Sequence, residues 1–182
     1  TIGDITGNYV GNYTSSSSGE SIGGALHIGN KAGNIIGDFI GNYAFSSSDF
    51  FSASGGAIYN SGTIGNIVGD FIGNYTFTPK SYGYGSAIYN AGTIGDIVGN
   101  FVDNYTSSVD SNYNDSGAIY NSGTIGNIVG DFIGNNQAID NEGTIGNITG
   151  NFVNNHGFSS GAISGSGSIG NITGDFIGNY VH

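Results

Sequence analysis

Seven times in 182 residues the chain writes a variant of Thr-Ile-Gly-Asn-Ile-Val-Gly-Asp-Phe-Ile-Gly-Asn. The copies occupy 1–12, 31–42, 63–74, 93–104, 124–135, 144–155 and 168–179, and the fifteen residues of 61–75 recur at 122–136 with only the last changed. A catalytic site is seldom needed seven times over, whereas a structural rung is needed at every turn of a stack. Self-similarity at a period of 20 to 50 residues marks solenoids, whose units bury their apolar faces only against one another.

The spacing between copies is 30, 32, 30, 31, 20 and 24 residues. All of that variation lies between the Asn that ends one copy and an Ala-Ile or Ala-Leu pair before the next: Ala25-Leu26, Ala57-Ile58, Ala87-Ile88, Ala118-Ile119, Ala138-Ile139 and Ala162-Ile163. The intervening stretches are 13–24, 43–56, 75–86, 105–117, 136–137 and 156–161. Where the stretch is shortest a complete unit of 20 residues remains, enough for three short strands and three turns. The pattern predicts one all-β domain over 1–182, a β-solenoid of six to seven coils rising roughly 4.8 Å each, with insertions leaving one corner.

The columns of the repeat identify the inside. Ile5, Ile35, Ile67, Ile97, Ile128, Ile148 and Ile172 share one position without exception. The next position reads Thr6, Ile36, Val68, Val98, Val129, Thr149 and Thr173, and adjacent strand residues face opposite ways. The invariant Ile therefore points in and its neighbour out. Ile64, Ile67 and Phe71, with Ile125, Ile128 and Phe132 of a later coil, are the expected core ladder, and the Tyr59 column is expected to face solvent. Asn42, Asn74, Asn104, Asn135, Asn155 and Asn179 close their copies, and with Asn60 they suit stacked amide ladders. Gly65, Gly69 and Gly73 are expected at corners, where φ > 0 suits glycine. Glycine every three or four residues excludes a helix, at about 1 kcal/mol for each interior Gly.

Stacking also explains the composition. There are 36 Gly, one Pro and no Cys, Met or Trp, yet 37% of residues are hydrophobic, which favours a packed β-structure over disorder. Charge is scarce because like charges one rung apart repel by ~1 kcal/mol even in water. Thirteen acidic residues against Lys31 and Lys80 give a formal charge of −11. Such a surface excludes nucleic acid, which needs clustered Lys and Arg, and binding to anionic lipid. No apolar run is long enough for a spanning helix, so no direct membrane insertion is expected in this segment. Without an initiator Met or a signal peptide, the chain reads as a processed piece of something longer, and its open-ended coils suggest stacking on copies of itself, a route to filaments.

GGAL (23–26), GGAI (55–58), GSAI (85–88) and SGAI (116–119, 160–163), alternating with FIGN, FVDN or FVNN, resemble the Gly-Gly-Ala-Ile and Phe-x-x-Asn repeats of polymorphic outer-membrane-protein passengers. More broadly the chain is similar to autotransporter adhesin passengers. The resemblance covers every coil. It implies a right-handed parallel β-helix, extracellular or on the cell surface of a Gram-negative bacterium, acting in adhesion or as a surface fibre, and it carries over no catalytic residue.

The chain has no Arg, its two Lys lie in unrelated places, and its carboxylates fall in repeat columns or loops, so no enzyme activity and no catalytic residue are expected. No cofactor is expected either. Incidental calcium has weak candidates in Asp38 and Asp70, neighbours in one column, and in the Asp110–Asp115 stretch. His27, His156 and His182 share no repeat position. The insertions 13–24, 43–56, 75–86 and 105–117 are the expected binding surface, a ridge of loops bearing Phe45, Phe50, Phe51, Phe77, Tyr82, Tyr84 and Tyr113. Exposed aromatics there suit glycans or a host or cell-surface protein. Sequons for glycosylation start at Asn12, Asn74, Asn104, Asn114, Asn147 and Asn171. Ice binding through the Thr63 column is weakened because Lys31 interrupts it.

Overall fold

The computed structural model describes residues 1–108, 116–158 and 160–181, and among them holds strands, isolated bridges and bends but no helix. The strands stack as a right-handed parallel β-helix. Two sheets have seven strands, one built on Ile5–Thr6, Ile35–Ile36 and Ile67–Val68, the other on Tyr9–Val10, Phe39–Ile40 and Phe71–Ile72. A six-stranded sheet carries Ile58–Asn60 and a five-stranded sheet Thr63–Ile64. Every pairing is parallel and joins residues of one column: Ile67 lies between Ile35 and Ile97, and Phe71 between Phe39 and Phe101. Strands of two or three residues would not persist alone. They exist because each is paired above and below, which is why the sequence repeats.

The core follows the columns. Ile35, Ile67, Ile97, Ile128 and Ile148 are fully buried, as are Phe39, Phe71, Phe101, Phe132 and Phe152, while Ile64, Ile94, Ile125 and Ile145 are 1% exposed. Each such side chain contributes about 1.5–3 kcal/mol by leaving water. The Phe rings add an offset stack, with centroids 4.7 and 4.8 Å apart on the two sides of Phe71. The alternate column faces out, with Val68, Val98 and Val129 at 42–46% exposure.

The corner glycines divide into two kinds. Gly69 and Gly73 have φ of +151° and +60°. In the Gly73 column only Asp103 and Asn154 replace glycine, at φ of 51° and 53°, because short polar side chains tolerate the left-handed region. Gly65 departs from expectation: it has no such φ. It is glycine because a Cβ there would lie 2.7 Å from the Asn34 side-chain oxygen and 3.0 Å from the Gly33 carbonyl carbon.

The long insertions are not a ridge of loops. Tyr13–Ser16, Tyr43–Ser46, Tyr75–Thr78 and Tyr105–Ser108 form a four-stranded parallel sheet, and Ser21–Ile22, Ala53–Ser54 and Gly83–Tyr84 a three-stranded one facing it. Together they make a thin fin beside the main barrel. Its interior is built of Ala44, Ser46, Ala53, Thr76 and Thr78, all fully buried, with Ser21 and Thr106 nearly so. Small side chains let the two sheets approach closely; a Cβ on Gly83 would lie 2.1 Å from the Thr106 methyl. At the neck, a Cβ on Gly56 would lie 2.0 Å from the Ser86 carbonyl oxygen and 2.5 Å from that of Tyr75. This close approach accounts for the second glycine at Gly56, while the coils holding Ser86 and Gln137 in the same column accommodate a side chain. Where the insertion shrinks to 136–137, the fin stops: the Asn136 amide donates to the Thr106 carbonyl at 3.0 Å and caps the last sheet edge.

Candidate functional site

Four ladders of polar side chains fix the register on which any surface display depends. In the first, Asn12, Asn42, Asn74, Asn104, Asn135, Asn155 and Asn179 follow one another through the stack. The Asn74 side-chain oxygen accepts from the Asn42 backbone N–H at 3.0 Å and from its Nδ2 at 2.9 Å. Asn74 Nδ2 in turn donates to the Phe39 carbonyl and to Asn104 Oδ1, each at 2.9 Å. One side chain thus ties three coils, and from Asn42 to Asn155 the ladder is fully buried. The second ladder runs Asn60, Asn90, Asn121, Asn141, with Nδ2 to Oδ1 distances of 2.7, 2.7 and 2.8 Å. Low dielectric and saturated bonding make such networks strong, and make a gap in one costly.

The other two ladders lie on the surface and use either Asp or Asn. Asp4, Asn34, Asn66, Asp96, Asn127 and Asn147 each accept the backbone N–H of the next residue in their column, at 2.7–2.9 Å. The Asp70 column does the same: Asn8 accepts from Asp38 at 3.1 Å, Asp38 from Asp70 at 3.0 Å, and Asp70 from Asn100 at 2.7 Å. This role explains why Asp and Asn alternate freely there: only a side-chain oxygen is required. Asp38 and Asp70 each commit an oxygen to it, and among the described residues no group of three metal-ligating side chains comes together. The Asp110–Asp115 stretch, with Tyr113 and Asn114, lies outside the described residues, as does His182.

The ladder also corrects two glycosylation candidates. Asn74 and Asn104 are fully buried with their amides bonded within the stack, so neither can carry a sugar. Asn12, Asn147 and Asn171 sit at exposed positions.

The aromatics expected on free loops divide by position on the fin. Phe45 and Phe77 are half-buried and stacked on each other, with centroids 5.0 Å apart and planes within 7°. Beside them runs a row that sequence reasoning did not single out: Tyr13, Tyr43, Tyr75 and Tyr105, with centroids 5.0, 4.7 and 5.0 Å apart. The signal was there, since all four arches open with Tyr, then Thr or Ala, then Ser or Phe, then Ser or Thr, an alternation of period two. Tyr13, Ser15, Tyr43, Phe45 and Tyr75 line an open groove of 360 Å³ between the two rows. At the fin tip Phe50 is 87% exposed, and Phe51 and Tyr82 about half as much. The Lys80 ammonium reaches Asp49 there at 3.0 Å, binding neighbouring arches across the tip.

On the other side of the fin, Tyr84 folds back over the Tyr59 column. Its ring lies 5.1 Å from that of Tyr120 and 6.3 Å from that of Tyr89. Tyr59, Tyr89 and Tyr120 are therefore half-buried rather than open to solvent. Burial pushes the Tyr84 phenol up to about 12, with Tyr120 and Tyr82 adding to the effect. Asp140, which follows Tyr120 in the column, is also raised by burial, while a 3.1 Å bond from Ser164 works the other way. His27 packs edge-on against Tyr59.

No family model, curated protein or solved structure matches this chain.

Proposed function

We propose that the chain is a non-enzymatic structural and adhesive β-solenoid that works outside the cell. It acts as a passenger-like segment similar to those of autotransporter adhesins, or as a fibre subunit stacking head to tail. The fin carries this reading. Three insertions of twelve to fourteen residues, with 105–108 of a fourth, build an outgrowth whose interior is separate from the main core, and whose outer face repeats Tyr at every rung. A rod that only needed to be a rod gains nothing from it, since the later coils close with two or six residues in its place.

Surface display of the full chain tests the adhesive role. Cells or beads coated with it should be retained on a target surface, and Phe50→Ser with Phe51→Ser and Tyr82→Ser should reduce retention while the far-ultraviolet spectrum stays unchanged. Retention that ignores all three substitutions would remove the fin tip from the proposal. Electron microscopy separates the stacking variant: continuous fibres support it, and dispersed short rods defeat it. Deleting 43–56 is a poor test, because Tyr43–Ser46 pairs with strands on both sides and its loss would break the fin. A glycan-binding module is the second reading, favoured by Phe50, whose ring stands free at the tip. Glycan-array signal lost on Phe50→Ser would favour it over protein adhesion.

A further inference from the structure

We infer that the groove between the two aromatic rows of the fin is a binding site for elongated, planar aromatic cations. The inference goes beyond the adhesive reading and does not depend on it.

The geometry of the rings comes first. In the Tyr13–Tyr43–Tyr75–Tyr105 row neighbouring planes agree within 8°, and centroids are 4.7–5.0 Å apart. Phe45 and Phe77 repeat the arrangement two residues along the strand. Rings stacked this way cover one another's faces and turn their edges outward. A sugar packs on an open ring face, and the interior members of these rows have none to offer. The outward edges make two apolar walls, and a flat aromatic held between them gains by dispersion and by leaving water on both faces. A flat molecule lying lengthwise between the rows meets ring edges on both sides.

The groove's course fixes the ligand's shape. It crosses the strands and so runs along the solenoid axis, extending about 10 Å from the first to the third of its three rungs. Its floor is the backbone of the four-stranded sheet, regular from rung to rung. A rigid rod-like molecule matches this, whereas a branched or globular one does not. Charge then selects the sign. No residue lining the groove is charged, and the chain as a whole carries −11, with Lys80 paired to Asp49 at the tip and Lys31 in the Thr63 column on the barrel. A cation is drawn to such a surface and an anion repelled.

Thioflavin T, a planar benzothiazolium cation, is the probe. Added to full-length chain that sediments as a dispersed species, it should bind saturably with a rise in fluorescence. Phe45→Ser with Phe77→Ser removes one wall and places there the residue that Ser15 and Ser107 already supply in the same column. That double variant should weaken binding by about tenfold or more, while Phe50→Ser at the tip should leave it unchanged. Raising salt from about 50 to about 500 mM should weaken it severalfold. Unchanged affinity in the wall variant, equal loss in the tip variant, or equal affinity for the anionic dye anilinonaphthalene sulfonate would each overturn the inference. If the wall variant misfolds, a substitution in the intact fin decides. The chain has no Trp, so Phe45→Trp gives a single emitter that the bound dye should quench, whereas Phe158→Trp should not be quenched. Absence of quenching in the Phe45→Trp chain would equally overturn it.

Discussion

Barrel and fin solve the same stacking problem with opposite interiors. In the barrel, Ile67 and Phe71 sit in fully buried columns and the Asn74 ladder closes the corner. In the fin the two sheets enclose Ala, Ser, Thr and Gly, and two buried hydroxyls, Thr76 and Ser86, find no hydrogen-bond partner among the described residues. Both keep perfect register across their coils. Register therefore needs only parallel backbone pairing and matched side chains one rung apart. Resistance to unfolding needs apolar volume and saturated polar ladders, which the barrel has and the fin lacks.

The sharpest way to break this contrast is at the barrel's polar ladder. Asn74→Ala leaves the Asn42 amide and N–H and the Phe39 carbonyl without their partner inside a closed interior. Since each stranded buried group costs about 1–3 kcal/mol, the loss should reach about 3 kcal/mol or more, read from urea unfolding. A loss below ~1 kcal/mol would mean that the ladder decorates the barrel rather than holding it. In the fin, Gly83→Ala forces a Cβ against the Thr106 methyl and the Thr76 hydroxyl. Overpacking there should cost about 1–3 kcal/mol. Hydrogen exchange should speed up at Tyr75–Thr78 while the Phe71 amide keeps its protection. Equal loosening of both would show barrel and fin to be one cooperative unit.

The seam between them titrates. A phenol held near 12 instead of 10 binds its proton more tightly in the folded state. Tyr84 therefore contributes its full share of stability below about pH 10, and that share is lost as pH rises through about 12. Tyr84→Phe should make the alkaline loss of fin structure shallower in that window, followed by circular dichroism, and should change nothing at neutral pH. The smallest effect is expected for Thr76→Val, which removes a buried hydroxyl with no partner and keeps the shape. Stability should stay within about 1 kcal/mol of the parent, on the stabilising side. Clear destabilisation would show that the hydroxyl has a bonded partner, such as water, inside the fin.

How much of this the amino-acid sequence disclosed follows from which constraints repeat. The Ile67 column never varies because a change in one rung would leave a gap under the next, so the barrel core could be read residue by residue. The Asn ladders were legible for the same reason. The fin was misread as loops because its interior uses Ser, Thr, Ala and Gly, the residues that elsewhere mark turns. Only the alternation in YTSS, YAFS and YTFT pointed to strands. The surface caps at Asp4 and Asp70 hid behind their mixture of Asp and Asn, which looked like variable charge and was constancy of an oxygen. Glycosylation at Asn74 looked sound as a tripeptide and failed in three dimensions, because a local motif does not report what stacks upon it.

The Asn ladders have one more consequence. In both ladders every amide-to-amide bond runs from Nδ2 of one coil to Oδ1 of the coil that follows, from Asn12 to Asn179 and from Asn60 to Asn141. The amides form aligned dipoles, each polarising the next, so the rod has electrical as well as topological polarity. A coil added after Asn179 must present an acceptor to it, and one added before Asn12 must present a donor. A copy stacking on the end after Asn179 would thereby be held to one orientation, since one that arrived reversed would set donor against donor.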